Sequence, residues 1–133
     1  HQKLVHYKGL TFYGLEGSIR YNKSPIKYTE GQMRRMVNQA FAVMQYNNVR
    51  RGGLDVFVTH SPVWGIHDAE DPPHRGFKSM LRILDWYPPR YMVHGHVHTW
   101  DRRKTVETQY NDTLILNITP VTLMDIEPRG DTP

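Results

Sequence analysis

The chain has 133 residues and a mass of 15.7 kDa, a length that suits one domain with its own buried core. Its 38% hydrophobic and 23% charged residues are ordinary for a globular protein; no apolar run nears the ~20 residues that span a bilayer, and no signal-peptide pattern opens the chain. Zero cysteines exclude disulfides and thiolate metal sites and fit a cytoplasmic location, while a net charge of +4 from scattered basic residues suits anionic partners without indicating nucleic acid.

The elements follow in chain order. Residues 3–7 (KLVHY) and 10–14 (LTFYG) are β-prone runs separated by Lys8-Gly9, which predicts a hairpin with a two-residue turn. The stretch EGSIRYNKSPIK is punctuated by Gly, Ser, Asn and Pro and reads as loop. Thr29 with Gln32 three residues on forms a capping box. Met33, Met36, Val37, Ala40, Phe41 and Met44 then repeat at helical spacing, and Asn47-Asn48 with Gly52-Gly53 ends the helix. Residues 55–60 (DVFVTH) predict a buried strand. The Pro- and Gly-rich SPVWGIHDAEDPPHRG is a long loop, followed by a helix near 75–86 with Phe77, Met80, Leu81 and Leu84 on one face and Pro88-Pro89 beyond it. RYMVHG is a further strand, KTVETQY and TLILNIT flank Asn111-Asp112 as a hairpin, and VTLMDIEP predicts a last strand. Strands alternating with helices imply an α/β layered fold whose chemistry sits beyond the strand ends.

Six of the eight histidines lie between positions 60 and 98. His60 ends one predicted strand, and His96 and His98 follow the end of the next. Parallel strands joined by a helical crossover place such ends side by side. In extended backbone, residues two apart face one way, so His96 and His98 can share a pocket, and Gly95 lets the backbone turn and approach an ion. Neutral imidazole is a common ligand for divalent transition metals. These three are the candidate metal ligands. His94, which shares their alternation, is expected to orient a ligand rather than be one. His67 and His74 lie in the Pro-rich loop, where a protonated imidazole of either, near Arg75, is a candidate phosphate contact, and His74 with Arg75 is the pair expected to bind substrate.

The segments VTHSP (58–62) and VHGHVH (93–98) together resemble the last two metal motifs of the calcineurin-like metallophosphoesterases, a lone His after a strand followed by Gly-His-x-His. The loop GIHDAEDPPHRGFKSML between them resembles the family's loop, in which an Asp and a His-x-Gly precede a helix, and KGLTFYGLEGSIRYN resembles the preceding segment of bacterial members. The likeness covers residues 5–127. It implies a layered α/β sandwich, a mixed sheet with flanking helices, and a dinuclear centre of Mn, Fe or Zn. His60 and His96 then bind one ion and His98 the other. Two such ions, roughly 3.5–4 Å apart, hold a phosphoester and activate water for in-line attack at phosphorus. The family's Asp-x-His, Gly-Asp-x-x-Asp and Gly-Asn-His-Asp/Glu are absent; the one Gly-Asp, at 130–131, is at the wrong end.

The expectation is therefore a single domain over 1–133 that forms the C-terminal part of a larger hydrolase, with the general acid in a missing N-terminal part. His1 opening the chain in place of a methionine agrees with a fragment. The expected partners are a phosphate-ester substrate and either that missing segment or a second copy covering exposed apolar faces, with no membrane. Two alternatives stand beside this reading. One is a dimerising or partner-binding half-domain with a structural or adventitious metal. The other is a mononuclear three-His zinc hydrolase with Asp68, Asp71 or Asp101 as base.

Overall fold

A computed structural model describes residues 1–97, 105–119 and 121–130. The sequence predictions for His98 and Asp101 fall outside them. Six strands form one mixed sheet: β1 (Lys3–Tyr7), β2 (Leu10–Leu15), β5 (Val56–Thr59), β6 (Tyr91–His94), β8 (Thr113–Asn117) and β7 (Val106–Tyr110), in that spatial order. The four inner strands are parallel, and the two edge strands pair antiparallel through hairpins. Lys8 and Gly9 both have positive φ (46° and 77°), the conformation a two-residue hairpin turn demands.

Within the stretch read as loop, β3 (Ser18–Ile19) and β4 (Lys27–Tyr28) pair as a small parallel ladder. Helix α1 (Glu30–Arg51) opens on the expected capping box: Gln32 N–H donates to Thr29 Oγ1 and Thr29 N–H to Gln32 Oε1. It runs past Asn47-Asn48 because Asn47 is buried and donates through Nδ2 to the Gly53 carbonyl, 2.7 Å away. Gly52 closes the helix in the left-handed region at φ 73°. Met33, Met36, Val37, Ala40 and Met44 are buried as expected, whereas Phe41 is half-buried against Tyr87.

Helix α2 (Lys78–Trp86) starts later than 75. The main chain at Phe77 is held by a strand-like bridge to Val63: Phe77 N–H donates to the Pro62 carbonyl and Trp64 N–H to the Phe77 carbonyl. The first free N–H groups of α2 point instead at Glu30 of α1, whose carboxylate accepts from Lys78 and Ser79 at 3.2 and 2.6 Å. No helix among the described residues is long and apolar enough to cross a membrane.

Both helices cover one face of the sheet, enclosing Tyr13, Leu15, Phe57, Met92 and Ile115. The opposite face presents Val56, Val93 and Leu116, with Phe12, Tyr91 and Leu114 around them. The predicted last strand does not form. Residues 121–130 have no regular secondary structure, and Met124 and Ile126 pack onto this second apolar cluster instead. Alternating burial there comes from lying over a sheet face rather than from pairing at its edge.

A clamp fastens this final segment. Asp55, just before β5, has a side chain only 2% exposed and accepts from Thr11 N–H (2.8 Å), Thr11 Oγ1 (2.9 Å), Arg129 Nε (2.9 Å) and Arg90 Nη1 (3.3 Å). Burial pushes the Asp55 carboxyl up, and these donors outweigh it, so it lies below the usual carboxylate range. Arg129 also donates to the Gly52 and Leu54 carbonyls at 2.7 and 3.1 Å.

Candidate metal centre

The carboxyl ends of β5 and β6 lie side by side, with Val58 opposite Val93 in parallel register. His60 leaves the first strand and Gly95-His96 the second, and Gly95 N–H donates to the His60 carbonyl at 3.2 Å. The rings of His60 and His96 consequently meet, with centroids 4.5 Å apart. His74, arriving from the short 3-10 turn Pro72–His74, sets its ring 5.2 Å from that of His96. The structure thus gathers His60, His96 and His74 at one sheet edge.

Hydrogen bonds decide which ring nitrogens are free. A carbonyl only accepts, so His96 donates Nε2–H to the Pro73 carbonyl at 2.6 Å, and its Nδ1 keeps a lone pair when the ring is neutral. His74 donates Nδ1–H to Asp71 Oδ2 at 2.6 Å, and its Nε2 has no hydrogen-bond partner among the described residues. Partial burial, and then the neighbouring His96, hold the His60 pKa below its ordinary value and favour the neutral, ligating form.

His94 is fully buried and turns to another partner. It donates Nδ1–H to the Gly95 carbonyl at 3.0 Å, and its Nε2 lies 3.0 Å from His67 Nδ1. His67 Nε2 in turn meets the Thr108 hydroxyl at 2.8 Å. His94 therefore supports the turn that carries His96 through its main chain; its ring bonds neither His60 nor His96. His67, expected as a loop residue that meets phosphate in its protonated form, is half-buried in this chain, and burial lowers its pKa.

Arg75 is exposed and donates to the Glu70 carbonyl at 2.8 Å, so its guanidinium braces the loop. Asp68 does the same from inside the loop: its two oxygens accept from Gly65 and Gly76 N–H, each at 3.0 Å. Both oxygens already hold backbone donors, which argues against Asp68 as a general base. Among the described residues, no group of three or more His, Cys, Asp or Glu is placed to hold a metal ion.

Sequence reasoning missed two participants, the Pro73 carbonyl and Asn117. Pro73 had a faint signal, since it immediately precedes His74 in a loop of fixed φ. Asn117 had none, because its partner is reached only through the sheet. Two recesses, of about 310 and 960 Å³, lie at the other end of the strands, around Gly52 and Arg129.

No family model matches the chain, and no curated protein does. A solved crystal structure is similar, with a TM-score of 0.59 at 18% identity, covering 89% of this chain and 44% of that one. The likeness is one of fold. The chain spans less than half the length of that solved protein.

Proposed function

We propose that this chain is the C-terminal part of a metal-dependent phosphoesterase of the calcineurin-like type. The observation that carries the reading is the meeting of the His60 and His96 rings at adjacent parallel strand ends, 4.5 Å between centroids. Divergent strand ends would have kept them apart.

The donor chemistry fits a metal in part. The rings of His60 and His96 lie side by side, and among the described residues His96 Nδ1 has no hydrogen-bond partner. Two imidazoles do not complete a tetrahedral or octahedral set. The resemblance assigns a further ligand to His98 and the bridging carboxylate to a Gly-Asp-x-x-Asp that these 133 residues lack. When bound, divalent ions supply Lewis acidity and an activated water for hydrolysis of a phosphate ester. The chain's own residues have other tasks. The Pro73 carbonyl fixes the His96 ring, Asp71 fixes His74, and a protonated His74 ring has Nε2–H to donate to a phosphate oxygen. Mn, Fe and Zn all suit such donors.

Mn²⁺ titration of this chain tests the ligand pair. Paramagnetic broadening confined to the ring signals of His60, His96 and their neighbours is expected, and unchanged signals at millimolar Mn²⁺ overturn the reading. In a longer chain that supplies the carboxylate motifs, His60→Ala and His96→Ala are each expected to cut hydrolysis of p-nitrophenyl phosphate at least 100-fold.

A second reading, a half-domain that dimerises, has its own support. Val58, Val121 and Leu123 are 41%, 80% and 95% exposed. Sedimentation equilibrium distinguishes the two: a dimer at micromolar concentration that persists in chelator favours the second.

A further inference from the structure

We propose that Asn117 is the positioning residue for His96, acting through the backbone turn on which His96 sits. The proposal rests on the metal-site reading above for its purpose, and its geometry stands without it.

His96 has φ 68°, in the left-handed region that costs a side-chain-bearing residue energy and favours glycine. The glycine of this segment is one position earlier, so the strain falls on the histidine itself. Val97 N–H donates back to the Gly95 carbonyl at 2.8 Å, a three-residue turn with His96 at its centre. Turns of this kind with positive central φ are rare and strained. They persist only where surrounding contacts over-determine them.

Three contacts do so. Gly95 N–H is held by the His60 carbonyl at 3.2 Å on the entry side. The His96 ring is tied to the Pro73 carbonyl at 2.6 Å. On the exit side, the Val97 carbonyl accepts from Asn117 Nδ2 at 2.8 Å. Asn117 ends β8 directly opposite His94 in parallel register, and the following residue donates its N–H to the His94 carbonyl at 2.8 Å. Asn117 is 2% exposed, and its Oδ1 has no hydrogen-bond partner among the described residues. The amide donates one bond to the turn and, among those residues, accepts none. Among the described residues only the donor end of this buried amide is put to use, on the turn that carries His96. Outer groups of this kind tune metal affinity by ~10–100-fold.

The experiment compares Asn117→Leu, which keeps the shape and loses the donor, with Thr113→Ala. Thr113 is equally buried on the same strand, but its hydroxyl donates to the Pro89 carbonyl, away from the histidines. Asn117→Ala serves if the Leu variant does not fold, as judged by the methyl signals of Met92 and Ile115. Two readouts are taken. The first is amide exchange of Val97 with the Cα shift of His96; the second is Mn²⁺ affinity from broadening of the His96 ring.

Loss of the Asn117 donor is expected to speed Val97 exchange, move the His96 shift and weaken Mn²⁺ binding at least tenfold, while Thr113→Ala leaves all three as in the wild type. An Asn117 variant whose His96 turn and Mn²⁺ affinity match the wild type overturns the proposal. An altered turn in a protein that never bound Mn²⁺ upholds the positioning role and removes the metal reading alone.

Discussion

His67 Nδ1 lies 3.0 Å from His94 Nε2, and this contact fixes the protonation of both rings. Because the Gly95 carbonyl takes the Nδ1 proton of His94, Nε2 of the neutral ring is bare and accepts from His67. His67 Nε2 is then bare in its turn and accepts from the Thr108 hydroxyl. A proton added at His94 Nε2 forces His67 to move its own proton to Nε2 and to reverse its bond with the Thr108 hydroxyl.

Acid is therefore expected to destabilise the fold through His94. Burial, with the charges of His67 and His96, outweighs the Gly95 carbonyl and lowers its pKa from 6.5 to about 4. The unfolded chain binds the proton near 6.5 and the folded chain only near 4, so stability is complete above 6.5, falls through that window and levels off below it. The gap corresponds to about 3 kcal/mol. Urea unfolding at pH 7.5 and 4.5 checks this, and His94→Gln is expected to flatten the difference.

The buried carboxylate at the other end of β5 is expected to be a second point of weakness. Asp55→Asn removes the charge from bonds to Arg90, Arg129 and Thr11 and is expected to cost about 2–3 kcal/mol. Arg129→Ala is expected to cost less, because Arg90 and Thr11 remain on Asp55. Equal urea midpoints for Asp55→Asn and the wild type would contradict the clamp.

Gly76→Ala is expected to disturb both stability and the histidine cluster. A Cβ at this position meets the Val63 main chain at 2.3 Å, which no side-chain rotation relieves. Overpacking of this sort costs about 1–3 kcal/mol. The displaced loop carries Pro73 and His74, so the His96 ring signal is expected to shift as well. A normal melting temperature with an unmoved His96 signal would exclude this.

Asp68→Asn is expected to loosen the same loop from within. The amide offers an N–H where Gly65 or Gly76 also presents one, so one of the two 3.0 Å bonds is lost. The expected cost is about 1–3 kcal/mol. Hydrogen exchange read at Gly65 and Gly76 checks it, with faster exchange at one or both.

What could be read from the sequence were the features set by near neighbours. Lys8-Gly9 and Asn111-Asp112 mark their hairpins because a two-residue turn dictates its own residues. Thr29 and Gln32 mark the start of α1 for the same local reason. The approach of His60 to His96 was legible because each follows a β-run and a helix lies between. Elements fixed by distant partners were not legible. Phe77 is claimed by Val63, which delays α2; Ser18-Ile19 finds Lys27-Tyr28; the 121–127 alternation fits a paired strand and a draped segment equally. Alternation reports which side is dry and does not name the hydrogen-bond partner.

The bond between Asp55 and Arg129 joins residues 74 positions apart. On a ribosome adding ~5–20 residues per second, the carboxylate is made roughly 4–15 s before the guanidinium that completes its shell. The nascent sheet must spend that interval with one apolar face bare and an acid half-neutralised. Completion of this fold thus waits for Arg129, and a stop codon a few positions upstream of it strikes the centre of the sheet rather than its margin.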